Sequence, residues 1–519
     1  MLRPTVLLLL VVGSLRSARS AEPVAPSGAP SGAPTAGPDW KRGQELAATY
    51  CASCHLLPDP ASLTKSAWVH QIQPEMAKWV GLVPVDYEGM TDGRLLQEAG
   101  IYPPSPILPE ADWFAIWDYY RATAPSQLPA AARTTLVPTG LKRFKARKLS
   151  PHSGVPMTCL VQIDPARHQI RVGDAFGGSF FLLNPSGEVQ QRLRLGSPVV
   201  SVFDSGHDSL LLTLIGRLFP SDSLEGSVVV WDRQNGAAPD PVLQNLRRPT
   251  DSVLVDLNGD GLKDIVNCSF GHRLGRFSWF EGKPDNRFEE HVLLDRPGAI
   301  RCEVADLTGD GLPDIVVLTA QAREGIYLFV NEGKGRFRLS PLLEMPPSWG
   351  LASFSLADFN RDGHPDLVVA NGDHGDFPLP LKPYHGVRIY LNDGRNQFHE
   401  VFHFPLAGAY KAVARDFDGD GDLDLAAIAF YPDYTREQPE SFVYLENQGE
   451  WRFTASTCAE QNLGRWMVMD AGDLDGDGDE DIVLGSFVRG PTTVPVPAAL
   501  RDRWRTDGAP LLLLENTTR

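Results

Sequence analysis

The sequence predicts a multidomain protein, a small all-α domain followed by an all-β propeller of seven blades. Three observations carry this. Residues 39–128 hold apolar positions at helical spacing, whereas the sequence beyond Thr139 is strand-like. A nine-residue acidic motif then recurs five times, its starts 50, 52, 58 and 57 residues apart. A fixed period of that size in β-rich sequence means propeller blades, and each period holds the four apolar runs that one blade needs.

At 519 residues the chain exceeds one ordinary core. With 42% hydrophobic and 22% charged residues it is globular in composition rather than disordered. A net charge of -17 excludes nucleic acid as a partner, because phosphate binding needs a basic face. Residues 1–20 read as a signal peptide: Arg3 supplies charge, Val6 to Val12 an apolar core, and Ala18-Arg19-Ser20 a small-residue cleavage site. The apolar run is too short to span a bilayer, so the expected mature protein has no transmembrane segment and is periplasmic or secreted. Residues 21–38, rich in Pro, Ala, Gly and Ser, form a linker.

The helical domain, 39–128, opens with a pattern running through Gly43, Leu46, Ala47 and Tyr50 into Cys51-Ala52-Ser53-Cys54-His55. Two thiols at this spacing can form thioethers to the vinyl groups of a haem, and the adjacent histidine can ligate its iron; CxxCH is the attachment signature of c-type haem. A zinc half-site would need a second ligand pair nearby, and none precedes Cys159. A second helix is expected over 110–122, with Trp113, Phe114, Ile116, Trp117 and Tyr120 at near-helical spacing between Pro109 and Pro125. With CxxCH closing the first helix and an aromatic-rich last helix, residues 39–128 resemble a small class I-like cytochrome c domain. That resemblance implies two crossing helices, with Gly43 admitting an aromatic neighbour. It also implies a sixth ligand, for which Met76 stands first and Met90 and His70 are the alternatives. Met76 follows Gln73-Pro74-Glu75, which resembles the segment before a distal methionine in cytochrome domains fused to such propellers. His/Met ligation raises the reduction potential relative to bis-His. The other cysteines, Cys159, Cys268, Cys302 and Cys458, fit either buried thiols or disulfides.

A short linker, 129–139, leads to the propeller, 140–519. Val155 to Leu195 and Val199 to Leu246 each hold four strands without an acidic loop. The five later periods each place the loop between their first two strands. The last period has only three strands, and Lys142-Arg143-Phe144-Lys145 matches a fourth-strand opening. An N-terminal strand is therefore expected to close the ring and remove two exposed edges.

The loops read DxDxDGxxD. Oxygens at positions one, three, five and nine can surround a cation, a carbonyl at seven adds to them, and glycine at six permits the turn, as in an EF-hand loop. Oxygen-only ligands favour calcium over zinc or copper. Turn formation alone would also use Asp, Asn and Gly, but five copies in register exceed chance. The motifs resemble the FG-GAP or VCBS repeats of integrin-α-like propellers, which bind calcium there. Carried over, the ligands are Asp256, Asn258, Asp260 and Asp264; Asp306, Thr308, Asp310 and Asp314; Asp358, Asn360, Asp362 and Asp366; Asp416, Asp418, Asp420 and Asp424; and Asp473, Asp475, Asp477 and Asp481. Up to five Ca2+ ions would offset ten of the net negative charges.

On the opposite face the loops joining strands two and three are long at 371–386, 431–441 and 486–509. They carry His374, His385, Tyr384, Tyr431, Tyr434 and Trp504, while loops entering the inner strands add Arg248, Arg301, Trp349, Lys411 and Arg465. These fit an anionic ligand or scattered surface charge. The expected function is that of an exported haem protein passing single electrons to a redox partner protein through a covalent haem c. The propeller is then a docking platform, and an electron carrier is favoured over a substrate-specific dehydrogenase. The alternatives are a periplasmic oxidoreductase whose propeller binds a small molecule or carbohydrate, and an adhesion protein.

Overall fold

The computed structural model describes residues 40–129, 133, 135–152, 154–234, 238–285, 287–321, 323–375, 381–489 and 495–518. The expected signal peptide and the linker at 21–38 lie outside the described residues, as does part of 129–139. Six helices occur among the described residues: α1 (Trp40–Tyr50), α2 (Lys65–Ala67), α3 (Gln73–Trp79), α4 (Gly93–Glu98), α5 (Glu110–Thr123) and α6 (Ala498–Thr506).

The first five form a helical unit built on the crossing of α1 and α5. Gly43 is buried at that crossing, and a Cβ there would lie 2.1 Å from the Ala115 carbonyl oxygen and 2.9 Å from Tyr119 Cβ. Backbone meets backbone, so no larger residue fits. Gly43→Val is expected to destabilise this unit by about 3 kcal/mol, read as an earlier denaturant transition. Around the crossing, α5 buries Trp113, Ile116, Trp117, Tyr119 and Tyr120. Trp68 packs at a tilt 4.5 Å from Tyr120 and donates its indole N–H to Pro60 O. Pro74 near the start of α3 has no N–H to donate, and the preceding turn, Trp68–Ile72, widens into a π-helical one.

Seven four-stranded antiparallel sheets follow as blades. Blades I to VI span 158–194, 199–246, 249–294, 299–345, 351–405 and 409–456. Blade VII pairs Trp466–Gly472, Asp481–Ser486 and Leu511–Asn516 with the early strand Phe144–Leu149. The register of that closing pair runs from Phe144↔Asn516 to Leu149↔Leu511. Phe144 seals the closure edge-on to Phe417 and Tyr444, at 5.9 and 5.7 Å. The predicted ring closure is therefore present.

Burial explains the strand sequences. The second strand of blade IV, Asp314–Thr319, is buried at every position, because neighbouring blades cover both faces. The outermost strand of blade I, Val189–Arg194, is almost wholly exposed and polar. Between these extremes, the inner strand of every blade carries a register shift at the same place, as between Ala299 and Arg301 or Ala409 and Lys411. A bulge adds twist and re-aims the residues beside it.

Candidate functional site

The CxxCH segment ends α1 as a single 3-10 turn, Cys51–Ser53, fastened by Ser53 Oγ donating to Tyr50 O at 2.6 Å. Cys51 is half-buried and Cys54 exposed. Burial, and then Cys54, pushes the Cys51 thiol up to about 11. His55 Nδ1 lies 2.9 Å from Leu56 O. A carbonyl can only accept, so Nδ1 carries the proton and Nε2 keeps a free lone pair. Burial first, and the nearby Arg323 charge, lower the imidazole pKa and keep it neutral.

Cys51 and Met76 pack on one apolar cluster that includes Ala47, Trp68, Trp117 and Tyr120. Met90 lies outside that cluster and His70 is exposed. Within the unit, the buried Trp117 indole N–H and Gln71 Oε1 have no hydrogen-bond partner among the described residues.

The five acidic loops share one construction. The first Asp accepts amides from within its own turn, as Asp256 does from Gly259 and Gly261 at 2.8 and 2.9 Å. Asp306, Asp358, Asp416 and Asp473 do likewise. The fifth residue accepts the amide of the seventh: Asp260, Asp310, Asp362, Asp420 and Asp477 at 2.8–3.1 Å. The sixth residue is glycine at φ +84 to +99, a left-handed conformation that a Cβ would strain. In the last two loops a carboxylate oxygen from each of Asp416, Asp418 and Asp420, and from each of Asp473, Asp475 and Asp477, lies within 4.8 Å of the others. In the other three loops the third position is Asn258, Thr308 or Asn360. A third cluster, Glu281, Glu289 and His291, is spanned by Lys283, whose ammonium pairs with both glutamates at 2.8 Å.

The ninth-position aspartates do something sequence spacing did not reveal. Asp264 accepts Leu257 N–H with one oxygen and Gly282 N–H with the other, tying the loop to the end of strand three. Asp314, Asp366 and Asp481 repeat this, and Asp424 uses Asn447 N–H and the Tyr444 hydroxyl. Each oxygen retains a second lone pair for an ion. The asparagines ending the third strands extend the tie: Asn331 donates to Leu257 O of the preceding blade, and Asn516 to Phe417 O.

Burial raises the pKa of all five ninth-position carboxyls, and Asp424 and Asp481 reach about 7. Their folded pKa exceeds the unfolded one, so the native state binds the extra proton. Stability from these two groups is full at low pH and is lost as pH rises through the window up to about 7. Metal-free protein is therefore expected to melt higher near pH 5 than near pH 8 by calorimetry in chelator, and saturating calcium to remove that advantage.

The helical unit lies against the face bearing the loops between strands two and three. Asp92 accepts Ser221 Oγ–H and Asp222 N–H at 2.6 and 2.7 Å. Arg273 Nε donates to the Tyr102 hydroxyl at 2.7 Å, and the Tyr384 hydroxyl donates to Ser62 O at 3.1 Å. Asp222 in turn accepts the amides of His272, Arg273 and Leu274. Of these clamp residues only Tyr384 stood out in the sequence, as part of a long loop; the others are polar loop residues with no motif around them.

The residues expected around the channel mouth are largely structural tethers. Arg248 donates to the carbonyls of Gly271, Leu218 and Arg217. Arg465 lies 3.7 Å over the Phe430 ring, Trp349 stacks on Tyr384, and His374 and His385 sit 4.5 Å apart. Arg301 pairs with Glu303. Enclosure in the channel, and then Arg301, brings Lys411 down to about 8. No disulfide joins any of the six cysteines, and Cys159, Cys268, Cys302 and Cys458 are buried.

The fold defines a seven-bladed β-propeller, and the acidic loops mark which kind of repeat builds it. The FG-GAP-like repeat family matches residues 256–317, 306–369 and 416–484, and the FG-GAP repeat matches 351–390. The chain thus carries FG-GAP repeats over the blades whose first two strands flank an acidic loop. No curated protein matches the chain. Among solved structures, the crystal structure of RRP9 WD40 repeats is 10% identical with a TM-score of 0.44, and that of the N-terminal domain of Nup159 is 10% identical with a TM-score of 0.40. Each match covers 74% of this chain and 99% of the other. No helix among the described residues is long and apolar enough to cross a membrane.

Proposed function

We propose that this is an exported electron-transfer protein whose helical unit holds a c-type haem through Cys51, Cys54 and His55. Met76 is the second axial ligand, and a calcium-stiffened propeller serves as the docking platform. One observation carries the reading: a CxxCH turn whose histidine is held neutral, Nε2 free, beside the apolar cluster on which Met76 packs. The orphaned Trp117 N–H and Gln71 Oε1 suit a site that takes a bound polar group. When bound, haem supplies one-electron redox chemistry. The chain supplies two thiols for covalent attachment, an imidazole oriented by Leu56 O, and an apolar wall that limits water. Calcium is assigned to the five acidic loops, whose first, third, fifth and ninth residues offer the oxygens.

The absorption spectrum of the mature protein should respond reversibly to one-electron reductants. Met76→Ala should lower the reduction potential while leaving the haem covalently attached. A potential that does not move removes Met76 from the site.

A second reading, an oxidoreductase whose substrate binds on the propeller, is favoured by one feature. The CxxCH unit is clamped to the loop-rich face, with His55 near Arg323 and Ser62 bonded to Tyr384. Reduction by a specific small molecule, absent from its close analogues, would select this reading.

A further inference from the structure

Between its second and third strands blade VII carries an insertion, residues 487–510, where blades I and IV use only 175–178 and 320–323. The insertion contains α6, which Trp504 fixes to the body. That indole is 3% exposed, donates its N–H to Asn462 O at 3.1 Å and packs edge-on to Tyr434. Arg501 and Arg505 lie one turn apart on α6, and Arg489 lies near the start of the insertion. With Val155, Val488 and Trp504 these arginines line a cavity of about 220 Å3.

Many of the chain's guanidinium groups pair with carboxylates, as in Arg171 with Asp164 or Arg133 with Glu440. Yet no ion pair or side-chain hydrogen bond engages Arg489, Arg501 or Arg505 among the described residues, and no carboxylate lines the cavity. Like charges one helical turn apart oppose helix formation. Three arginines line one small cavity, and a guanidinium fork suits a tetrahedral oxyanion, which can accept paired bonds from it.

The geometry points to a binding site for a small oxyanion, a phosphate or sulfate group, held by Arg489, Arg501 and Arg505 against Trp504. The volume holds the ion and a short substituent, so the group can be free or an ester. The site lies on the propeller face that carries the helical unit, and it stands whether or not haem is bound.

Isothermal titration of the full-length protein at low ionic strength tests this, using sodium phosphate, sodium sulfate and glycerol phosphate, with sodium chloride as the ionic control. Saturable binding of phosphate or sulfate is expected. It should weaken at least about tenfold in R501Q/R505Q and persist in R503Q, on the same exposed helix but outside the cavity. Tighter binding of glycerol phosphate identifies an ester as the occupant, and weaker binding the free ion. The inference is overturned if phosphate and sulfate give no more heat than chloride, or if R501Q/R505Q binds as the unaltered protein does while keeping its melting temperature.

Discussion

Excess EGTA is expected to lower the melting temperature of the propeller by more than about 10 °C. Each acidic loop gathers carboxylates that repel one another, and in blades VI and VII three carboxylate oxygens lie within 4.8 Å. An ion bound only by the native state at a hundred times its Kd stabilises it by about 2.7 kcal/mol. At about 2.1 cal/mol/K of unfolding entropy per residue, one kcal/mol moves the midpoint of a domain this large by roughly 1.3 °C, so about four occupied sites exceed the stated shift. Because every loop is tied by its ninth Asp to strand three of its own blade, the effect should be cooperative rather than confined to loop tips. Calorimetry with and without calcium reads it directly. An unchanged midpoint in EGTA would mean that the five loops are turns and nothing more. Magnesium is not expected to substitute fully, because it demands shorter bonds and stricter octahedral geometry than a flexible loop offers.

Asp222→Ala should produce the largest effect of any change remote from the loops. The Asp222 carboxylate is 1% exposed and accepts three successive amides, of His272, Arg273 and Leu274, at 2.7–2.8 Å. Removing it leaves three half-buried donors without their acceptor, a loss of about 3–9 kcal/mol at about 1–3 kcal/mol each. The same loop presents Ser221 Oγ and Asp222 N–H to Asp92, and its neighbour presents Arg273 to Tyr102. Loosening it should therefore free the helical unit from the propeller as well. Urea unfolding should change from one transition to two, with the helical unit melting first. A single transition at the original midpoint would show that the clamp contributes nothing.

Much of the architecture was legible because repetition multiplies a weak signal. One DxDxDGxxD segment is a turn; five in register located the blades, and Phe144 after a basic residue sufficed to predict the closing strand. Helices α1 and α5 were legible from Gly43, the aromatic spacing and flanking prolines. What escaped was tertiary. The bulge repeated in every inner strand leaves no residue signature, since Thr250, Ile300 and Tyr410 share no chemistry. The double bonding of Asp264 and its equivalents was hidden because a carboxylate ligand and a carboxylate tether look alike in sequence. The clamp through Asp92, Tyr102 and Asp222 joins residues more than a hundred positions apart. The trio of arginines on blade VII was hidden for the same reason, Arg489 being brought to α6 only by the fold of the insertion.

The central claim, that Cys51 and Cys54 hold a porphyrin, is tested most directly by intact mass. The full-length chain should be exported from a host that matures c-type cytochromes and measured under denaturing conditions. One haem mass should remain attached, the red colour should survive acid and solvent extraction, and Cys54→Ser should reduce the attachment to a single thioether or abolish it. A colourless protein with the mass of the processed polypeptide alone, and both thiols open to alkylation, would contradict the account.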